Sequence, residues 1–462
     1  MENKLERKYG LVTAICMVVG IIIGSGVFFK AQIILQKTGG NMPLGILAWC
    51  IGGAIMMICI LAFASMAQRY EKVNGIVDYA EATVGGKYAY FIGWFMTIIY
   101  YPTLTMALAW LSARYTLVFL VSVSPEFPLL IPAAEGGCVV GPECMILTLL
   151  YLCCAYAVNA LSPKIAGKFQ VATTVIKLIP LFLMAVVGIV YGLAKGTLAN
   201  NITTVASVGA AAGSPLLAGV CATSFAYEGW IIATSINSEL KDAKKNLPRA
   251  LIVGGIIVIV VYIAYFIGVA GGATNQELID SGATIAFTNI FGNVLGNILN
   301  LFIAISCMGT MNGLMLGCTR GMYSLSVRGE GPKAKLFAQV DPQTGMAGNS
   351  SILALLLCAA WTVYFAFSNL FGAWQGAFVF DPTELPIITI YAMYIPIFIC
   401  WMRKATEEKA LKRYIIPLLA VIGSLFMVYA CYSAHGAACL WYLILFAVVM
   451  FVGALLNSKK TN

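Results

Sequence analysis

The sequence predicts an all-α polytopic membrane protein that forms one transmembrane domain over residues 1–462. Hydrophobic residues make up 61% of the chain and charged residues only 10%, and the mean hydropathy is +0.90. Apolar runs recur that are long enough to cross a bilayer, which takes about twenty residues. The alternating pattern of a transmembrane β-barrel is absent. This composition excludes an ordinary soluble domain.

Twelve spans can be drawn through the apolar runs. We expect them near residues 11–36, 43–68, 88–121, 144–161, 169–194, 215–238, 249–270, 285–327, 348–367, 383–402, 413–432 and 437–457. The eighth is too long for one crossing, so we expect a helical continuation beyond the membrane. The polar stretch 69–83 is expected to form a short cytoplasmic helix or hairpin.

The loop charges predict that both termini are cytoplasmic. With the N-terminus inside, most of the 28 Lys and Arg residues fall on the cytoplasmic side, as the positive-inside rule requires. Only Lys30, Lys37 and Lys195 are assigned to outer loops. Membrane topology therefore explains the net charge of +9, and no nucleic-acid partner is predicted. The first apolar run is too long for a cleaved signal peptide and is interpreted as a retained span in a multi-pass protein of the cell membrane.

The cysteine and histidine content argues against a metal site. The 14 cysteines lie mostly in apolar runs, where cysteine behaves as a small buried hydrophobe. Cys138 and Cys144 lie near an outer loop, and a disulfide between them stays open. Paired CxxC motifs are absent and His435 is the single histidine, so we expect no histidine-based metal site and no cofactor.

Two interruptions in apolar runs are the features around which the rest of the chain is interpreted. The first is Gly24-Ser25-Gly26, and the second is Tyr227-Glu228-Gly229. Lipid offers no hydrogen-bond partners, so backbone that leaves a helix there must face protein, water or a ligand. Paired broken segments in the two halves of a chain are typical of the binding site of a transporter.

The chemistry of the two breaks suggests a ligand class. Unwinding at Gly24–Gly26 exposes amide groups at the positive end of the next half-helix, which suit a carboxylate. Unwinding at Tyr227–Gly229 exposes the last carbonyls of the preceding half-helix, which suit an ammonium group. A site with both matches an α-amino acid zwitterion. The alternative is that the glycines, including the Gly20-xxx-Gly24 pair, only permit close helix packing.

These motifs resemble those of a known family. The first break resembles the first-helix signature of the amino acid–polyamine–organocation superfamily. Residues 225–230 (FAYEGW) are similar to the sixth-helix motif of its L-type amino acid transporter family, and Glu239-Leu240-Lys241 with Asn246–Ala250 resembles the loop that follows. The closest resemblance is to bacterial serine/threonine exchangers and covers nearly the whole chain.

The resemblance implies a fold and an activity. The fold is a LeuT-like inverted repeat of five plus five helices, with helices 1 and 6 broken. The first repeat would span about 11–194, the second 215–402, and the last two helices 413–457 would lie outside it. The implied activity is sodium-independent exchange of neutral L-amino acids such as L-serine and L-threonine. The resemblance to bacterial members makes a lone subunit more plausible than one paired with a heavy-chain glycoprotein.

The resemblance also implies binding residues at the two breaks. These candidates are Ile23, Gly24, Ser25, Gly26, Phe225, Ala226, Tyr227, Glu228 and Gly229. Glu228 stands where many family members have glycine, so it leaves open whether cationic substrates are accepted. It could pair with another charge, act as a gate or contact the substrate.

Lys177 is the second buried charge that the sequence singles out. It lies nine residues from Lys168, about 13 Å along a helix, which places it near the membrane midplane. A charge there costs at least ~2.5 kcal/mol unless it has a partner, so we expect a functional role. The resemblance implies that its ammonium group replaces the sodium ion of sodium-coupled relatives and bridges the first break to helix eight.

Other residues are candidates for the pocket wall. Those on spans three and eight are Tyr100, Ser306, Thr310 and Asn312. Of Phe225 and Trp230, we expect only Phe225 to close over the substrate. Glu384 is expected at the outer mouth of span ten, in contact with solvent.

Two alternatives to exchange are considered. A proton-coupled or uncoupled amino-acid or amine permease could use Lys177 or Glu228 as its proton site. An intramembrane enzyme would need a nucleophile–base pair or a metal cluster at membrane depth, and the sequence shows neither. We therefore expect no enzymatic activity.

Overall fold

The computed structural model describes residues 10–24, 26–70, 75–124, 126–127, 129, 141–206, 214–232, 234 and 240–457. Helices dominate these ranges. In the first half they are α1 (Leu11–Ile22), α2 (Gly26–Lys37), α3 (Met42–Arg69), α4 (Ile76–Thr83), α5 (Gly86–Val123), α6 (Pro142–Leu161), α7 (Pro163–Leu183, continued by Met184–Gly188 and Ile189–Lys195) and α8 (Thr197–Thr203).

The second half of the chain is also helical. It contains α9 (Pro215–Ala226), α10 (Ala243–Gly272), α11 (Asn275–Ser281), α12 (Ala283–Val327), α13 (Ala334–Phe337), α14 (Gly348–Leu370), α15 (Leu385–Lys404), α16 (Leu411–His435) and α17 (Ala438–Leu456). Across the described ranges, 10 helices are long and apolar enough to cross a membrane, and the bent pair α1–α2 adds one more. The prediction of a multi-pass helical membrane protein is confirmed.

Most predicted spans agree with a helix to within a few residues, but the sixth differs. It was predicted to reach residue 238, whereas α9 is a 12-residue helix that ends at Ala226 and is followed by turns. A helix this short cannot cross a bilayer alone. The predicted short helix within 69–83 is present as α4, and its cytoplasmic location stays a prediction. The over-long eighth span is α12, which Gly292 interrupts with φ 82° and ψ 169°.

The half-helices pack against long neighbours in the interior. α1 packs on α10, α2 packs on α9, and α9 also contacts α3 and α16. α12 lies against α5 and α7. Large apolar side chains such as Phe182, Leu193 and Phe451 are more than half exposed on outward faces, which suits lipid contact. The buried core therefore surrounds the two interrupted helices.

Candidate binding site

The first break is a bend between α1 and α2. α1 ends at Ile22, Ile23 is extended with φ −70° and ψ 99°, and α2 starts at Gly26 after a bend of 44°. Ser25, a predicted binding residue, lies outside the described residues. A Cβ atom on Gly24 would lie 3.0 Å from the Thr310 hydroxyl oxygen. The break therefore lies against α12, and only a very small residue fits there.

The second break follows α9 and touches the first. Tyr227 leaves helical geometry, with φ −88° and ψ 3°, and Gly229 has φ +106°, which favours glycine. A Cβ on Gly26 would lie 2.5 Å from the Cα of Ala226, and one on Gly229 would lie 3.0 Å from the carbonyl oxygen of Ile21. The two breaks therefore cross in direct contact.

The carbonyl end of α1 receives donors from two other helices. The Lys177 ammonium on α7 donates a hydrogen bond to the carbonyl oxygen of Gly20, and the Tyr262 hydroxyl on α10 donates to that of Ile22 at 3.0 Å. Lys177 is fully buried. A cation beside the last carbonyls of a helix is stabilised by the helix dipole. Sequence reasoning missed Tyr262, because a single tyrosine in an apolar run gives no signal of its partner.

Glu228 forms a hydrogen bond rather than an ion pair. Its carboxylate accepts a hydrogen bond from the Tyr100 hydroxyl of α5, and both side chains are buried. Among the residues that the structure describes, none forms a salt bridge with it. Three roles were considered for Glu228, and one of them, structural ion pairing, finds no partner among the described residues. The geometry does place Tyr100 next to the second break.

The three candidates on α12 face different neighbours. Thr310 lies against Gly24 at the first break. Ser306 is fully buried, and its carbonyl oxygen accepts from the Thr310 hydroxyl at 3.3 Å. The side-chain oxygen of Asn312 instead accepts a hydrogen bond from the Asn159 side-chain amide at 2.9 Å. Its own NH2 group donates to the carbonyl oxygen of Ala166 at 3.1 Å, so Asn312 joins α12 to α6 and α7.

A cavity of about 210 Å³ adjoins the breaks on the side that the loop charges predict to be external. Phe225, in the last turn of α9, forms part of its wall, together with Phe29 of α2 and Trp110 of α5. The polar lining residues are Lys30, Lys37, Asn369, Asp381, Thr383, Glu384 and His435. Phe225 therefore faces open space, and its contact with substrate stays a prediction, whereas Trp230 is fully buried against Phe63 and Tyr394.

Two charges on this cavity correct the sequence analysis. Lys30 was assigned to an outer loop, but it lies in α2 and is only 2% exposed. Glu384 was expected to be solvated, but it is 5% exposed and forms an ion pair with Lys30. Its other carboxylate oxygen lies 2.9 Å from His435 Nε2. The two charges are 354 residues apart in sequence, so no local pattern could reveal that each is buried with the other.

Lys30 also contacts aromatic rings at the cavity. Its ammonium nitrogen lies 5.3 Å from the ring centroid of Phe225 and 5.4 Å from that of Phe29, which are cation–π distances. The ion pair thus joins α2, which follows the first break, to the start of α15. Phe225 in turn joins this charge to the second break. His435 belongs to α16, so a helix outside the predicted five-plus-five core also lines the cavity.

The comparison with protein families finds a match over almost the whole chain. The amino acid permease family model matches residues 9–455. The serine/threonine exchanger SteT of Bacillus subtilis is 29% identical over 446 residues, which cover 92% of this chain and 91% of the relative.

Two mouse proteins are also similar to the chain. Asc-type amino acid transporter 1 is 28% identical over 369 residues, covering 78% of this chain, and large neutral amino acids transporter small subunit 2 is 28% identical over 336 residues, covering 71%. The matches span 64% and 60% of these two relatives. The extent of the family match, together with a helical fold built around two broken segments, leads to one conclusion: the chain belongs to the amino acid permease family.

Proposed function

We propose that this protein is a sodium-independent exchanger of neutral L-amino acids such as serine and threonine, working by alternating access. The family supplies the general class, which is amino acid transport. The Bacillus relative, named as a serine/threonine exchanger, supports the finer assignment because it is similar over 92% of the chain. Exchange, substrate and sodium independence are the proposed parts.

The observation that carries the proposal is the contact between two opposite helix ends. α2 begins at Gly26 with amide donors that have no partner within the helix, and α9 ends at Ala226 with carbonyl acceptors that lack helical partners. These two residues touch. The amides of Gly24–Gly26 would receive the substrate carboxylate, and the carbonyls of Phe225–Tyr227 would receive its ammonium group. An amino acid zwitterion satisfies both ends at once.

Lys177 supports the absence of sodium coupling. Its ammonium group donates to the carbonyl oxygen of Gly20 at the carbonyl end of α1, next to the first break. A lysine covalently fixed there would do what a bound sodium ion does in a sodium-coupled transporter. The carbonyl oxygens at this end of α1 would then need no bound sodium ion.

Alternating access would use the two halves of the chain. We infer that residues 11–194 and 215–402 form the inverted repeats, with α1–α2 and α9 as corresponding broken elements. The cavity beside Phe225 would be the external approach to the site, with the Lys30–Glu384 pair in its wall. The chain would act without a second subunit.

The test is uptake of labelled L-serine into proteoliposomes at equal pH without sodium. Vesicles would contain unlabelled L-serine, unlabelled L-threonine or no amino acid. An exchanger takes up label only when an amino acid is trapped inside, and the effective internal amino acids define its specificity. Equal uptake into empty vesicles would contradict the exchange mechanism, and a requirement for sodium would contradict sodium independence.

A proton-coupled permease is the second candidate, and the environment of Glu228 favours it. A buried carboxylate that accepts from Tyr100 and has no ion-pair partner among the described residues is a suitable proton carrier. This function predicts uptake into empty vesicles that grows with an inward proton gradient. If a Lys177→Gln variant retained such coupling, Lys177 would be excluded as the proton site.

A further inference from the structure

A cluster of metal-ligating side chains lies beside the cavity. Cys221 is on α9, while Cys431 and His435 lie one turn apart on α16. Their sulfur atoms and a ring nitrogen all lie within 4.8 Å of one another. Both cysteines are buried, and the His435 side chain is 14% exposed. The three groups therefore face one small volume from two helices.

A carboxylate completes the cluster. Glu384 Oε2 lies 2.9 Å from His435 Nε2 and 3.6 Å from Cys221 Sγ. Its other oxygen is bonded to Lys30, so Oε2 is the atom that faces the cysteines and histidine. Two sulfurs, one imidazole nitrogen and one carboxylate oxygen thus converge at the meeting point of α9, the start of α15 and α16.

We propose that Cys221, Cys431, His435 and Glu384 form a binding site for Zn²⁺ or a similar thiophilic divalent cation. Zinc takes four such ligands in a tetrahedron, with bonds of about 2.0–2.3 Å, which place neighbouring ligand atoms roughly 3.3–3.8 Å apart. The two sulfurs and the ring nitrogen all lie within 4.8 Å of one another, which is within about 1 Å of that geometry. Glu384 Oε2 already lies at ligand spacing from two of them, at 2.9 Å from His435 Nε2 and 3.6 Å from Cys221 Sγ. Binding of all four atoms to one ion would require the Cys431 and Glu384 side chains to approach each other through a change of rotamer.

The charges of the cluster also match a divalent cation. On binding, the two thiols would release their protons to the water of the cavity and become thiolates. Two thiolates and the Glu384 carboxylate carry three negative charges, which the ion and the Lys30 ammonium balance. Lys30 would also orient the carboxylate, as hydrogen-bond donors behind metal ligands commonly do.

The site has an approach path. Glu384 and His435 both line the cavity of about 210 Å³, so an ion can reach them without passing through the packed core. Cys318 and Cys358 provide a contrast. Their sulfurs are 4.0 Å apart and buried, but no histidine or carboxylate joins them in any potential metal cluster within the described residues. Cysteine proximity alone is therefore not what defines the proposed site.

A bound ion would restrain the second break. α9 ends at Ala226, so an ion that ties Cys221 to α15 and α16 would hold this half-helix in one position. We expect Zn²⁺ to inhibit transport from the cavity side. This consequence rests on the proposed transport function, whereas metal binding itself does not.

The first experiment measures metal binding to the purified full-length protein. The thiols are kept reduced, bound metal is removed by chelation, and Co²⁺ is added as a spectroscopic probe, followed by Zn²⁺. We expect about one equivalent of Co²⁺, with thiolate-to-cobalt charge-transfer absorption that Zn²⁺ abolishes. Cys221→Ser, Cys431→Ser and His435→Gln should each weaken binding at least tenfold, whereas Cys358→Ser should bind like the wild type.

Thermal unfolding separates a lost ligand from a misfolded variant. Zn²⁺ should raise the Tm of the wild type and of Cys358→Ser, because a ligand that binds only the folded state stabilises it. The Tm of Cys431→Ser should not respond, while its Tm without metal stays near that of the wild type. Wild-type protein without thiolate–cobalt absorption, or a Cys221→Ser/Cys431→Ser double variant with unchanged binding, would overturn the proposal.

Discussion

The ammonium group of Lys177 donates a hydrogen bond to the carbonyl oxygen of Gly20, in the last turn before α1 breaks. The two residues are 157 positions apart, and the lysine is fully buried. The contact joins α7 to the element that turns into the first break. Lys177 is the only charged residue between positions 169 and 194. The contact places its ammonium group at the negative end of the α1 dipole.

Replacing Lys177 by Gln should reduce exchange at least about tenfold. A buried hydrogen bond from a charged donor contributes roughly 1.5–3 kcal/mol, and its loss leaves the end of α1 without its cation. The measurement is the initial rate of serine exchange per mole of reconstituted protein. Lys168→Gln is the matched control, because this lysine is exposed on the same helix. Equal activity of both variants would show that the Gly20 contact is dispensable.

Glu228 variants should distinguish the carboxylate's charge from its hydrogen bond. In Glu228→Gln the side-chain carbonyl can still accept from Tyr100, so we expect exchange of neutral amino acids within about threefold of the wild type. Glu228→Ala and Tyr100→Phe each remove the bond, and we expect larger losses because a bond to a buried charged group is worth about 1.5–3 kcal/mol. The same exchange assay compares all three variants. If Glu228→Gln were as inactive as Glu228→Ala, the negative charge itself would be required.

Gly26→Ala should both destabilise the protein and abolish exchange. The added methyl group would lie 2.5 Å from the Cα of Ala226, a backbone atom that cannot move aside. Overpacking of this kind typically costs about 1–3 kcal/mol. Thermal unfolding in detergent and the exchange rate are the two measurements. Gly86→Ala is the control, since a methyl group there meets nothing within 4 Å. Wild-type behaviour of Gly26→Ala would mean that the two breaks are not held in this contact.

Lys30 and Glu384 should show strong energetic coupling. Either Lys30→Met or Glu384→Gln alone leaves a buried group without its partner, a change that typically costs about 3–5 kcal/mol. The double variant removes both charges and should be more stable than the less stable single variant. Thermal unfolding of the wild type, the two single variants and the double variant gives the coupling free energy between the two side chains. Additive losses would indicate that each side chain is stabilised independently.

The apolar pattern predicted the helical class because its information is local. The boundaries of spans two, four, nine and ten lie within about three residues of α3, α6, α14 and α15. Glycine and a carboxylate inside apolar runs located both breaks, since these residues destabilise a helix in lipid wherever it packs. The depth of Lys177 in the membrane, predicted by counting residues along one helix, stays a prediction, while the structure shows that this lysine is fully buried.

The contacts between distant segments could not be predicted in the same way. The expectations for Lys30 and Glu384 were wrong because each was interpreted as an isolated charge near an outer loop, whereas each is buried as the partner of the other. Tyr262, Cys221 and Cys431 gave no signal, since a tyrosine or cysteine in an apolar run is usually part of the core. Their roles depend on which helices become neighbours.

The sequence by itself determined that the chain is a multi-pass helical membrane protein, where its helices are interrupted, and which family its motifs resemble. Composition and the spacing of small residues suffice for this, because a bilayer imposes the same requirements on every span. Only the tertiary structure decided that the two breaks touch and that Lys177 and Tyr262 hold the end of α1. It alone brought Lys30, Glu384, His435 and two cysteines together beside one cavity. The charged groups among them tolerate burial only with a partner, and packing decides which residue supplies it.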